Sequence, residues 1–298
     1  MRKLEKTNVG HFPKLIFVYL VSLIAISLAC NSPGLYKKEF SPEQKLKLAE
    51  KMTTNLRKRY GQGTVSEISV LNEGLKLQPE SAELWRTLGI PYLKRGYAAE
   101  YFERYEKAVK YDPLNWQGYR GHFYLYYYRD YERALHDFNQ LDALTPNFVD
   151  HPQATSVHFL RAVCHLKLGQ FEEAHAYWDK HIAEEIETIG EDYIDSKTFL
   201  FQGITYYKQE NYKEAMKSLA KGIKYDRSNA DLHYWAAKTH YALNDFTASQ
   251  SEIEIAKNYH RKGSFNSRDY MAEFYQTYML DIVELERDIE KQIHIANG

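Results

Sequence analysis

The feature that most constrains this chain is a recurring order of ring, small and turn-forming residues. Pro79 and Pro113 stand 34 residues apart, and so do Gly203 and Ala237. The best-kept unit reads Trp85-x2-Leu88-Gly89-x2-Tyr92, followed by Tyr105, Ala108 and Pro113, while Leu71 and Gly74 precede Pro79 in matching places. Later copies keep parts of the order: Asp130-Tyr131-Glu132-x-Ala134-x3-Phe138 with Pro146, then Ala162-x2-His165 with Phe171-x2-Ala174-x3-Trp178. Two more follow, Gly203-x2-Tyr206 with Tyr212-x2-Ala215-x3-Leu219, and Ala237-x2-His240 with Phe246-x2-Ser249-x3-Ile253. A unit this short cannot bury its own apolar face, so the chain must stack one unit on the next.

The pattern resembles the tetratricopeptide repeat. That resemblance implies an all-α fold: a right-handed α-solenoid of about five to six helix-turn-helix units spanning 41–262, the first of them worn. Its repeat core comprises Trp85, Leu88, Gly89, Tyr92, Ala108, Pro113, Ala134, Phe138, Ala162, Ala174, Trp178, Gly203, Tyr206, Ala215 and Ala237. Gly or Ala faces Ala because two helix backbones must approach closely there, and rings fill the wedge beside the contact. Insertions around Val149 to Ala154 and Glu184 to Asp195 lengthen loops or helix ends without breaking the stack. Ser41 is placed to cap a first helix opening with Pro42 and Glu43.

After Gly263, Met271, Phe274, Tyr275, Tyr278, Ile282, Leu285, Ile289 and Ile293 recur at three- and four-residue steps. The spacing predicts one long amphipathic helix within 263–298. It serves either as the cap that an array needs or as a segment folded back into the groove.

At the other end, Arg2, Lys3, Lys6 and Lys14 precede an uncharged run from Leu15 to Ala29 that ends in Ser27-Leu28-Ala29-Cys30. The run is shorter than the roughly 20 residues of a spanning helix and suits an export signal over 1–29. Ala29-Cys30 resembles the cleavage box of bacterial lipoproteins, which implies acylation of Cys30 and a tether over 30–40. The alternative is an uncleaved signal anchor. Asn31 is not the Asp that holds many such lipoproteins in the inner membrane, so the resemblance favours the outer one.

With a formal net charge of -1, the chain offers no bulk charge for nucleic acid. Only Cys164 remains beside Cys30, which leaves no intrachain disulfide once Cys30 is acylated. His158 with His165 and His233 with His240 share helix faces, but these are ring slots of the repeat, and zinc needs three or four convergent ligands. No nucleophile or phosphate-loop motif is present, so neither metal nor cofactor is expected and an enzyme ranks last.

Tyrosine supplies 26 of the residues, more than packing slots require. The resemblance places the first helix of each unit on the inner wall. The candidate partner-binding residues are Arg86, Ile90 and Leu93, then Phe159, Val163 and Leu166, then Leu200, Ile204 and Tyr207, then Tyr234, Lys238 and Tyr241. Tyr126 and Tyr127 join them from the cluster between Trp116 and Tyr131. In that cluster two registers are open: Trp116, Tyr119, Phe123, Tyr126 and Tyr127 face the groove, or Gly121 and Tyr124 take the packing slots. Rings on such a wall suit an amphipathic peptide. The sequence therefore predicts a non-catalytic, membrane-anchored adaptor for a protein or peptide in the bacterial envelope. Alternatives are a signal-anchored inner-membrane assembly factor and a peptide- or carbohydrate-binding module using the tyrosines.

Overall fold

In the computed structural model the described residues are 40–297; the signal segment, Cys30 and the tether up to residue 39 lie outside them. The described residues form thirteen α-helices and no strand. They divide into two compact units, with the boundary between Pro91 and Tyr92.

The first unit contains α1 (Pro42–Arg59), α2 (Val65–Leu77) and most of α3 (Ala82–Lys94). Ser41 opens α1 with a reciprocal cap: its hydroxyl accepts from the Gln44 amide at 3.2 Å, and the Gln44 side chain accepts from the Ser41 amide at 3.1 Å. Thr64 does the same service for α2, accepting from the Glu67 amide at 3.2 Å. Ala49, Leu71, Leu75, Leu84 and Leu88 form the core. The Trp85 indole donates to the Pro79 carbonyl at 2.7 Å, so the ring and the proline of the repeat signature are directly bonded.

The second unit begins within α3 and continues as α4 (Ala98–Tyr111), α5 (Pro113–Phe123), α6 (Tyr131–Leu144), α7 (Val157–Leu168), α8 (Phe171–Thr188), α9 (Ser196–Lys208), α10 (Tyr212–Tyr225), α11 (Ala230–Ala242), α12 (Phe246–Arg261) and α13 (Met279–Asn297). Helices α5/α6, α7/α8, α9/α10 and α11/α12 pack as consecutive antiparallel-type pairs, the stacked-pair arrangement of an α-solenoid. Ala108, Ala134, Phe138, Ala162, Ala174, Trp178, Ala215 and Ala237 have no exposed surface. At Gly203 a Cβ would stand 2.7 Å from Leu219 Cγ, so the glycine is what lets α9 and α10 close. Each fully buried ring or leucine in these pairs contributes roughly 1.5–3 kcal/mol.

The tyrosine cluster resolves by a change of helix type. After α5 the chain widens into a five-residue π-helical turn, Tyr124–Tyr128, which ends at Arg129 in the left-handed region (φ 54°). Within it Tyr124, Leu125 and Tyr126 are buried and Tyr127 is exposed. Gly121 takes the packing slot, where a Cβ would lie 2.8 Å from the Phe138 ring. Phe123 packs edge-on against Tyr101 and Tyr105 of α4, and Trp116 against Tyr105, so neither lines the groove.

The C-terminal region differs from the single helix that the spacing predicts. Only α13 is helical, with Ile282 and Ile289 buried in its seam. Residues 264–278 run without regular helix, and Tyr270 and Tyr275 adopt positive φ (66° and 51°), which no continuous helix permits. Met271, Phe274 and Tyr275 keep their apolar role but pack on the repeats in place of a helix seam.

A peptide strap on the inner wall

Segment 264–278 lies across the first helices of successive pairs and is pinned by buried polar groups. Asp231, at the start of α11 and 1% exposed, accepts from the Asn266 amide at 2.7 Å and from the Thr277 amide at 3.1 Å. One carboxylate thus closes both ends of a twelve-residue excursion, 266–277, of the size of an Ω-loop. The Ala230 amide donates to the Ser264 carbonyl at 2.8 Å beside it. Burial raises the Asp231 pKa, and the hydrogen bonds from Thr277 and Asn266 only partly offset that.

Mid-strap, Glu273 accepts from Lys197 Nζ at 2.8 Å and from Arg268 Nε at 3.3 Å. Burial alone would raise this carboxyl, but the two cations hold it below the usual carboxylate range. Arg129 donates to the Ala272 carbonyl and lays its guanidinium 4.2 Å over the Phe274 ring. Phe274 is 4% exposed, with Tyr126 at 5.0 Å and Tyr131 at 6.3 Å. Tyr275 meets Trp235 edge-on at 6.0 Å and Phe201 at 6.5 Å, with Lys167 Nζ 4.4 Å and Lys208 Nζ 5.8 Å from its ring centre. Its hydroxyl is pushed up to about 12, chiefly by burial. Lys167 is pulled below the ordinary lysine value by burial and then by the like charges of Arg129 and Lys208.

Of the candidate residues, Tyr207, Tyr234 and Lys238 come together: the Lys238 ammonium lies 5.9 Å from the first ring centre and 5.6 Å from the second. Tyr241 stands apart against Phe246. Phe159, Val163, Leu166, Leu200 and Ile204 are buried in the second unit's core, with Phe159 edge-on to Trp178 at 5.3 Å, so they are packing residues and offer no open wall. Tyr126 is covered by the strap, whereas Tyr127 is 39% exposed. Arg86 and Ile90 belong to the first unit, where Arg86 pairs with Glu83 at 3.8 Å, and Leu93 is half-buried near the start of the second. Sequence reasoning missed Arg129, Lys197, Phe201, Asp231 and Trp235, which hold the strap. The signal available was the stretch Ser264-Phe-Asn-Ser-Arg-Asp269, whose turn formers argue against a helix starting at 263.

The histidine slots are filled as rings. His165 stacks on Tyr177 at 5.3 Å and bonds Gln170 at 2.7 Å, while His233 stacks on Tyr259 and bonds Glu252 at 2.6 Å. Among the described residues no group of three or more metal-ligating side chains converges.

A tetratricopeptide repeat profile matches residues 124–185, and a TPR repeat profile matches 203–244. The chain carries tetratricopeptide repeats. The two matched stretches run from the tyrosine-rich turn into α8, and from the second half of α9 through α10 and α11. Protein SGT1 homolog from Bos taurus is 26% identical over 121 residues, 41% of this TPR chain; the chain spans about a third (33%) of that relative's length. In structure, the TPR array is similar to PilW, a widely conserved type IV pilus biogenesis factor, with a TM-score of 0.51 and 17% identity over 72% of this chain and 90% of that one. It is also similar to Pseudomonas aeruginosa pilF, with a TM-score of 0.54 and 15% identity over 83% of this chain and 99% of that one. At these identities the likeness is one of fold.

Proposed function

We propose that this chain is a non-catalytic adaptor, anchored through Cys30 to a bacterial envelope membrane, that receives an extended peptide of a partner protein on the wall held by its own strap. The observation that carries the reading is the strap itself. Residues 264–278 sit on the first helices as a bound peptide would, with backbone amides on Asp231 and aromatic anchors between Arg129 and Trp235. A partner offering the same chemistry, an acidic residue followed by two rings, competes with a segment whose effective concentration is on the order of millimolar. Binding is therefore gated: partner and strap exclude each other.

The TPR repeats support the adaptor class. The leader ending in Ala29-Cys30 supports the lipid anchor, Asn31 supports the outer membrane, and the shared fold with a pilus biogenesis factor agrees with an envelope location. No helix among the described residues is long and apolar enough to cross a membrane.

The test is photo-crosslinking in cells from positions 207 and 241, in the wild type and in Phe274→Ala. The reading expects one protein to be trapped and more of it in the variant. Capture of nothing but the chain's own strap in both would end it. For the anchor, Cys30→Ala should release a processed, soluble protein; unchanged membrane retention would point to a signal anchor.

A further inference from the structure

The two insertions that break the repeat interval meet in space. The first supplies His151, Ala154, Thr155 and Ser156, and the second Glu184, Glu185 and Asp195, to the lining of one cavity of about 450 Å3. That is the size of a small-molecule site. Its rim is strained: Gln153 and Ala154 are successive non-glycine residues at φ 54° and 58°. Such backbone is stored where the surrounding structure demands a particular shape.

The polar atoms facing this cavity are unbalanced. Glu184 is partly satisfied, accepting from Ser156 Oγ at 2.6 Å and lying 2.9 Å from His151 Nε2. His181 is 5% exposed and lines the cavity; its Nε2 bonds Thr198 Oγ1 at 3.2 Å, and its Nδ1 has no hydrogen-bond partner. Burial lowers the His181 pKa to about 4, so the ring is neutral, and with the proton on Nε2 the orphan Nδ1 is an acceptor. Only 3.8 Å from it is Glu184 Oε2, another acceptor. Glu185 Oε2 is buried, with His181 Nε2 3.5 Å away. Burial, then Asp195 and Glu184, push that carboxyl up to about 7. The cations in the lining, Lys197 and Arg268, are both engaged by Glu273 of the strap. Two carboxylates, Glu184 and Glu185, and the neutral His181 ring between them therefore converge on one cavity, and neither carboxylate is paired with the lysine or the arginine of its lining.

We propose that this cavity binds a small organic cation, a primary ammonium or guanidinium, whose charge pairs with Glu185. One of its N–H groups fills the gap between His181 Nδ1 and Glu184, and its carbon body lies against Phe159 and Ile189 in the same lining. The cavity borders the strap, which supplies Arg268 to its lining and holds Lys197 through Glu273, but its ligand is distinct from any peptide that displaces the strap.

The test is calorimetric titration of the full-length protein at pH 8 with agmatine and with benzylamine, against 1-butanol and benzyl alcohol as uncharged counterparts. Saturable binding of one equivalent of an amine, and none of the alcohols, is expected. Glu185→Gln should weaken it at least about 10-fold, the scale of one lost charge-assisted contact. That variant removes a carboxylate crowded by Asp195 and Glu184, so an undiminished thermal melt is expected. Glu214→Gln, which alters a surface pair with Lys217, should leave affinity unchanged. Three results would overturn the proposal: no saturation by either amine up to about 10 mM, weaker than any useful small-ligand site; equal affinity in Glu185→Gln; or equal loss in Glu214→Gln.

Discussion

Phe274→Ala separates a strap that is released as a unit from one that is part of the core. The ring is 4% exposed, touches Tyr126 and Tyr131, and lies under the Arg129 guanidinium at 4.2 Å. Truncating a buried Phe costs about 3–5 kcal/mol, and the lost cation–π contact adds about 0.5–1 kcal/mol. If the strap opens locally, the full cost falls on that opening, and a loss of about 3 kcal/mol raises the open population roughly 10²-fold. The sensitive probes are the Asn266 and Thr277 amides, which donate to Asp231 in the closed strap. In native-state hydrogen exchange they should speed up roughly 10²-fold while amides of α9 and α10 keep their wild-type rates. A synthetic peptide of residues 264–278 should then bind the variant and not the wild type. If α9 and α10 lose protection together with the strap, the segment is structural and the gating argument is wrong. Unchanged exchange at Asn266 and Thr277 would equally refute it.

Gly203→Ala should destabilise the fold by about 1–3 kcal/mol in denaturant titration, because the new methyl meets Leu219 Cγ at 2.7 Å. Glu273 titrates below its unfolded value, so the stability its pairs with Lys197 and Arg268 contribute is full above the unfolded carboxylate range and lost as pH falls through the folded value. Exchange at the Asn266 and Thr277 amides, corrected for intrinsic rate, should therefore accelerate below about pH 4. Asp231, whose pKa is raised, has the opposite sign: its burial cost is relieved on acidification, so a strap that tightens in acid would assign control to Asp231 instead. In a Cys30→Ala background, Cys164 should resist thiol reagents until the chain unfolds, since it has no exposed surface and burial raises its thiol pKa; fast native labelling would contradict that packing.

The repeat positions were legible in the sequence because their chemistry is dictated by distance. Where two helix backbones touch, as at Gly203 beside Leu219, nothing larger fits, so residue identity and position carry the same information. The tyrosine cluster was not legible. Gly118 and Gly121 fit two α-helical registers equally, and the chain packs both closely, Gly118 against Leu141 and Pro152 and Gly121 against Phe138, while the rings after them enter a π-helical turn that the spacing does not announce.

The strap shows why periodicity locates apolar side chains without giving the shape of the backbone that carries them. Met271, Phe274, Tyr275 and Tyr278 recur at helical spacing, and that spacing states only that the rings share one side. A helix presents its seam to a flat neighbour, but this segment faces rings and cations delivered by three different helices, Tyr126 near α5, Phe201 on α9 and Trp235 on α11. Reaching all three requires turns, which Tyr270 and Tyr275 make at positive φ. The buried carboxylate at Asp231 then offers two backbone amides the partners that an intrahelical ladder would have given them. Packing slots are local to each repeat and readable from it; the strap depends on residues far along the chain, Asp231 with Thr277 and Lys197 with Glu273, that no single repeat contains.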